Sequence, residues 1–417
     1  MAEIEDKDVA SFSQFKGLRN TVGPESFELG DLEEALNVDV TDEGRIRRRK
    51  GYATFLAGAY HSLFASGTVM LVVSGTSLLR VTPEAATTTL RTGLTSGARL
   101  AYGALADRIY YSNGTETGCV QAGVHRSWGL GPPVAQPIAA ETGGAMRPGV
   151  YQYALTYGRS DGQESGTGVA GQVTIGTRAT ATTPARLAGI LFTDIPVSSD
   201  PTVTHKYLYL SPPDGDAMYL AMGLAAGDTS ASIYVEQTGT VPLATQFLSP
   251  APAGSCIAHF NGHALVAKGA RLYPSEPYAP ELFDLRRGYR FSSPVTLVAP
   301  VDDGVYLGTE SEVIFLAGNE VTELVYRPIL DYGAIHGTLA YGQADDITKG
   351  TQGRVAIFMT TQGICAGYNG GKLENLTQER FSYPVTKRGA GVVRNYGGSV
   401  QYLAVLEGTT TAGNTAF

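Results

Sequence analysis

The chain has 417 residues, 43% of them hydrophobic, and a formal net charge of −8. That length supports two or three ordinary cores, and the acidic balance argues against a DNA binder that grips phosphates, which is usually basic. Only 17% of residues are charged, while 52 are glycine and 23 tyrosine, which fits turn-rich β-structure, and no long segment has apolar residues at helical spacing.

The N-terminus, Met1 to Asp8, is charged and lacks the apolar core of a signal peptide, so the expectation is a protein made in the cytoplasm. Residues 1–52 read as an extended lead-in that partly completes the fold. Gly30-Asp31 before Leu32-Glu33-Glu34-Ala35 predicts one capped helical turn. A strand ending at Asn37-Val38-Asp39-Val40 follows, then a turn at Asp42-Glu43-Gly44. The next strand carries Arg45, Ile46, Arg47, Arg48, Arg49 and Lys50. In a strand Arg45, Arg47 and Arg49 share one face. Three readings stay open: a solvated edge strand guarded by charge, a subunit or adaptor interface facing carboxylates such as Asp31, Glu33 and Glu34, or direct contact with phosphates.

Hairpin units begin at about residue 53. Residues 69–81, 108–120, 263–273, 304–316 and 354–368 each give an apolar strand, a Gly-centred turn and a second strand. Their recurrence at roughly 30–50 residues predicts a radial all-β array, a β-propeller. Residues 53–137 form its first part, ending in the joint Gly129-Leu-Gly-Pro-Pro. Beyond it the pattern changes: about seven short alternating segments, beginning with 149–157, lie within roughly 110 residues. Residues 138–248 are therefore expected to fold as an inserted β-sandwich of immunoglobulin or fibronectin type III kind. A second joint, Leu248-Ser-Pro-Ala-Pro-Ala-Gly, leads to residues 249–417, the remaining blades and a small polar tail.

Catalytic and ligand motifs read as structure. Gly166-Thr-Gly168-Val-Ala-Gly171 has the G-x-G-x-x-G spacing but leads into Gln172-Val-Thr-Ile, a strand, so no helix N-terminus meets a phosphate. His259 and His263 bracket a Phe-Asn-Gly hairpin turn rather than lie on a helix. Asp214-Gly-Asp216, Asp302-Asp303-Gly304 and Asp345-Asp346 lack the spacing of a calcium loop. Cys119, Cys256 and Cys365 are too few and too far apart for a disulfide framework or zinc ribbon. No stretch of about 18 apolar residues is present, which predicts no membrane-spanning helix. The expectation is a protein that is not an enzyme and has no cofactor or metal.

Several stretches resemble one family. They are Phe15-Lys-Gly-Leu-Arg-Asn followed by 34–52, the run from Phe260 to Phe283, Gly333-Ala-Ile-His-Gly-Thr, and 361–377. They are similar to the tail nozzle (tail hub) proteins of short-tailed bacteriophages. The resemblance implies a propeller subunit repeated around the tail axis as a six-membered ring. It further implies docking beneath a tail adaptor protein, tail fibres or spikes held at the side, and non-specific passage of double-stranded DNA during ejection. Its location would be the virion tail, assembled in the host cytoplasm, with no stable membrane insertion. Two other classes remain: a carbohydrate-binding or carbohydrate-degrading β-propeller, and a host-receptor recognition module of the tail.

Overall fold

The computed structural model describes residues 14–408 apart from 42, 50, 52, 237–238, 378–379 and 397–398. Phe12, Lys50 and the tail from 409 onward, all singled out in the sequence, lie outside the described residues. The chain is all-β, made of β-propeller blades with an inserted β-sandwich. Among the described residues the one α-helix is the single turn Ala344–Ile347, and no helix is long and apolar enough to cross a membrane.

The chain divides into two compact units, 60–268 with 272–289, and 1–59 with 269–271 and 290–417. The first holds two four-stranded meanders. One runs His61–Ser66, Val69–Ser74, Ser77–Val81, Thr87–Arg91; the other runs Ala101–Leu105, Arg108–Ser112, Thr117–Gln121, Val124–Arg126. A third begins Cys256–Phe260, His263–Lys268 and includes Ala279–Phe283. All predicted hairpins form where their turn residues placed them. Ser74 pairs Ser77 across Gly75-Thr76, with Gly75 at positive φ, and Phe260 pairs His263 across Asn261-Gly262, both of which adopt positive φ.

The blades stack because their middle strands are buried on both faces. Along Arg108–Ser112, Ile109 and Tyr111 join the cluster of Leu71, Val73, Leu78 and Val120 on one side. Tyr110, from the alternate face, joins Cys119, Trp128, Ala264, Val266 and Phe283 on the other. The first strand of the second meander, Ala101–Leu105, packs directly on Cys256–Phe260, although the long sandwich insertion intervenes in the chain. Close approach there requires Gly103: a Cβ at that position would lie 2.5 Å from Ile257 Cγ2.

The intervening residues contain the sandwich. A three-stranded sheet (Ile138–Met146, Ala188–Thr193, Ala231–Ile233) faces a four-stranded one (Gly171–Ile175, Gly149–Gly158, His205–Leu210, Tyr219–Ala225). Its own core is built from Tyr151, Tyr153, Leu155, Ile190, Phe192, Leu208 and Ile233. Two facing antiparallel sheets match the alternation read in the sequence.

The second unit holds the meanders Val295–Val301, Gly304–Thr309, Val313–Ala317, Val325–Leu330 and Ala340–Gln343, Arg354–Thr360, Gly363–Gly367, Leu373–Asn375. A two-stranded hairpin, Gly389–Tyr396 with Ser399–Leu406, packs Tyr402 against Ile335, Ile357 and Met359. The N-terminal lead-in adds a second hairpin, Val38–Val40 with Ile46–Arg48. It is stitched to the C-terminal part of the chain: the Asn20 amide N–H donates to Arg380 O, Asn20 Nδ2 to Ser382 O, and Arg380 Nη2 lies 3.0 Å from Asp31.

The helical turn expected at 31–36 does not form. Asp31–Leu32 is a short strand parallel to Gly17–Leu18. Instead of capping a helix, the Asp31 carboxylate is shielded from solvent and accepts from Arg19, Arg380 and the Glu28 amide. Three donors, one of them 349 residues away in the chain, outweigh a single local cap.

Candidate functional site

The most concentrated polar chemistry lies inside the 60–289 unit, where the sandwich meets the blades. Strand alternation puts Arg108 and Tyr110 on the same face. Both reach Glu281, on the strand Ala279–Phe283: Arg108 Nη1 pairs with Oε1, and the Tyr110 hydroxyl donates to the same oxygen at 2.7 Å. Glu281 is buried. From the sandwich side a β-turn brings Asp161 to the same guanidinium. The Gly162 amide donates to Arg159 O and closes the turn, after which Gly162 takes φ +87°. Asp161 receives Arg159 Nε at 3.1 Å, Arg126 Nη1 at 3.6 Å and Arg108 Nη2 at 3.7 Å. Three arginines therefore converge on two carboxylates.

Trp128 seats the joint. Its ring lies 4.8 Å from Tyr110 and edge-on to Phe283, and its indole N–H donates to Pro280 O at 2.8 Å. Two residues later, Leu130 enters the sandwich core. One short segment thus anchors both cores. Gly129 between them takes φ +84°, and a Cβ there would sit 2.5 Å from Glu281 O. Beside the clamp is an open cleft of about 540 Å³, lined by Leu105–Arg108, Tyr110, Asp161–Glu164, Thr245 and Tyr278–Leu282. Tyr278 at its rim is 89% exposed.

The electrostatics favour holding over reacting. Burial and the adjacent Glu281 raise the Tyr110 phenol far above its ordinary range, so it stays a donor. Burial pushes the Cys119 thiol up to about 12, and the Cys256 and Cys365 thiols likewise to about 12. All three cysteines are free thiols, and none is a thiolate near neutral pH. At the turn with His259 and His263, His263 Nδ1 lies 2.6 Å from Ser275 O, and burial lowers the His259 imidazole below its usual range. The G-x-G-x-x-G stretch is irregular and enters the strand Gly171–Ile175, as read from the sequence. Among the described residues no group of three or more His, Cys, Asp or Glu is placed to hold a metal ion.

The arginines expected from sequence to form a common interface do not act as one set. Arg45 is exposed and Arg47 half-buried. Arg49 is buried, its Nε 3.0 Å from the equally buried Asp39, which also lies 3.6 Å from Arg394. The strand turns inward at its far end, because Asp39, in register with Arg47 on the neighbouring strand, supplies the opposite charge. Within this chain Arg49 is thus held in an internal ion pair. The clamp itself escaped sequence reasoning, since none of its ion pairs to Glu281 is local. The buried Trp128, the chain's single tryptophan, was the one available signal.

No family model matches this chain, and no curated protein matches it. Among solved structures, the N-terminal domain of BBS1 in complex with ARL6 aligns over 84% of this chain and 90% of its own at 10% identity and a TM-score of 0.33. An extracellular domain of the one-component system BT4673 from B. thetaiotaomicron aligns over 84% and 38%, at 8% identity and 0.30. KlHsv2 with a replaced loop aligns over 81% and 86%, at 8% identity and 0.25. At these scores the likenesses carry no functional argument.

Proposed function

We propose that this chain is a structural subunit of a tail nozzle ring in a short-tailed bacteriophage, which retains the packaged genome and conducts DNA during ejection. The observation that carries the reading is where the resembling stretches fall in the fold. Residues 15–20 and 34–49 are those that tie the N-terminal lead-in to 380–394, and 260–283 build the blade that supplies Glu281 to the clamp. Two of the resembling stretches thus join added segments to the blades, the kind of internal fastening that a subunit of such a ring would use. On this reading the ring has six copies, meets a tail adaptor and tail fibres or spikes, and resides in the virion tail after assembly in the host cytoplasm. Its role is not enzymatic. Light scattering and negative-stain imaging of the full chain test it: closed rings are expected, and a strictly monomeric chain at tens of micromolar defeats it.

A second reading, glycan binding, is favoured by one observation, the cleft rimmed by the exposed Tyr278 ring. A glycan array on which binding disappears with Tyr278→Ala would move the assignment there.

A further inference from the structure

This inference rests on the ring reading and names one contact within it. After the strand Ala279–Phe283 the chain turns through Asp284, Leu285, Arg286 and Arg287. Asp284 is buried, yet both of its ion-pair partners lie at the surface. Arg286 Nε and Nη2 are 2.9 and 2.8 Å from its two oxygens, Arg287 Nε is 3.3 Å away, and the arginine side chains are 60% and 71% exposed. The Arg286 hydrogen bond, the largest cause, holds the Asp284 carboxyl below the usual range. The Arg286 guanidinium also lies 4.2 Å over the ring of Phe247, itself 55% exposed, with Leu285 exposed beside it. A buried carboxylate here fixes the orientation of two exposed cations, one of them, Arg286, lying on an aromatic ring. That ordering lowers the entropy lost on docking, and arginine with aromatic side chains is the composition of interface anchors. Two guanidiniums share one carboxylate, so the loop presents net positive charge on a chain of net −8.

The complementary surface is on the same chain. Glu33 and Glu34 are exposed, form no ion pair among the described residues, and are flanked by the exposed Leu29 and Leu36. It is acidic where the arginine loop is basic, and both are part apolar. We propose that Arg286, Arg287, Phe247 and Leu285 of one copy dock on the Leu29–Leu36 stretch of a second copy. The contact is heterologous, so repeating it generates a ring when the rotation closes.

A charge swap in the full-length chain tests this, because both substituted side chains are solvent-exposed and thermal melting checks folding directly. Arg287→Glu and Glu34→Lys should each weaken self-association at least tenfold by sedimentation velocity. The double variant should recover most of the loss, since every contact then regains an opposite pair. Single variants that assemble like the parent overturn the contact while leaving the ring reading intact. So does a double variant no better than the singles. A parent chain that never associates overturns both. Normal assembly with salt-sensitive loss of duplex DNA binding in Arg287→Glu identifies the loop as a phosphate contact and likewise overturns the proposal.

Discussion

The chain incorporates two added segments, and it secures them in opposite ways. The sandwich is held by buried groups: Trp128 is 1% exposed, and Glu281 is shielded beneath Arg108 and Tyr110. The N-terminal lead-in is held largely by partly exposed pairs. Arg19 and Arg380 reach Asp31 with side chains 24% and 45% exposed, and Lys16 pairs with Glu28 at the surface. The exception is Arg49 with Asp39, both buried. Buried polar contacts are expensive to break singly, because the surviving partner is stranded away from water. Exposed pairs are screened by salt and contribute little each. The sandwich should therefore unfold with its blades, and the lead-in should loosen first.

The sharpest way to break that contrast is Trp128→Ala. It empties the joint between two cores and removes the N–H donor to Pro280, so a loss of about 3–5 kcal/mol is expected. Chemical denaturation should show the sandwich and the adjoining blades losing stability together. If the sandwich melts separately in the parent chain, it is a tethered module and the contrast fails.

Next comes Glu281→Ala, which strands Arg108 and the Tyr110 hydroxyl; about 3 kcal/mol is expected. Urea titration monitored by tryptophan fluorescence reads it directly, because Trp128 packs against Tyr110. A smaller effect is expected from Gly103→Val. The added carbons meet Ile257 and force adjacent blades apart, at about 1–3 kcal/mol. An unchanged melting temperature would show that the two blades separate freely.

The clamp also has a pH signature. Burial alone would raise Asp161, but hydrogen bonding and charge from Arg159, then the Gln163 amide and Arg108, hold it below the ordinary carboxylate range. With the folded value depressed, its contribution is present above the unfolded value of about 3.9. It is lost as pH falls through the folded value. Melting profiles between about pH 6 and 3 should therefore steepen at the acid end, and Asp161→Asn should flatten that part of the curve. The smallest effect belongs to the lead-in's surface pair: Lys16→Gln removes the exposed Lys16–Glu28 contact and should change stability least of all. Its signature is faster proteolysis near residues 20–36, increasing with salt, while the blades stay intact.

Much of the fold was legible before any coordinates. Ser74–Ser77 and Phe260–His263 carry their turns in their own residues, since Gly and Asn adopt positive φ at lower cost than most other residues. The alternation in Gly149–Gly158 marks a strand with one face in the sandwich core. Local signals failed where distant charges competed. Asp31 looks like a helix cap until Arg380, 349 residues away, claims its carboxylate. Arg49 looks like part of a surface stripe until Asp39 turns it inward.

The amino-acid sequence by itself determined the strands, the hairpin turns and the insertion of one β-pattern into another, because those depend on side-chain period and on backbone preferences a few residues long. Only the tertiary structure decided which charges meet. Glu281 finds Arg108 across 173 residues of chain, and Ser112 bonds Gly254 across 142. Such contacts have no local signature: they follow from the packing of Ala101–Leu105 on Cys256–Phe260, which brings both ends of the sandwich insertion together.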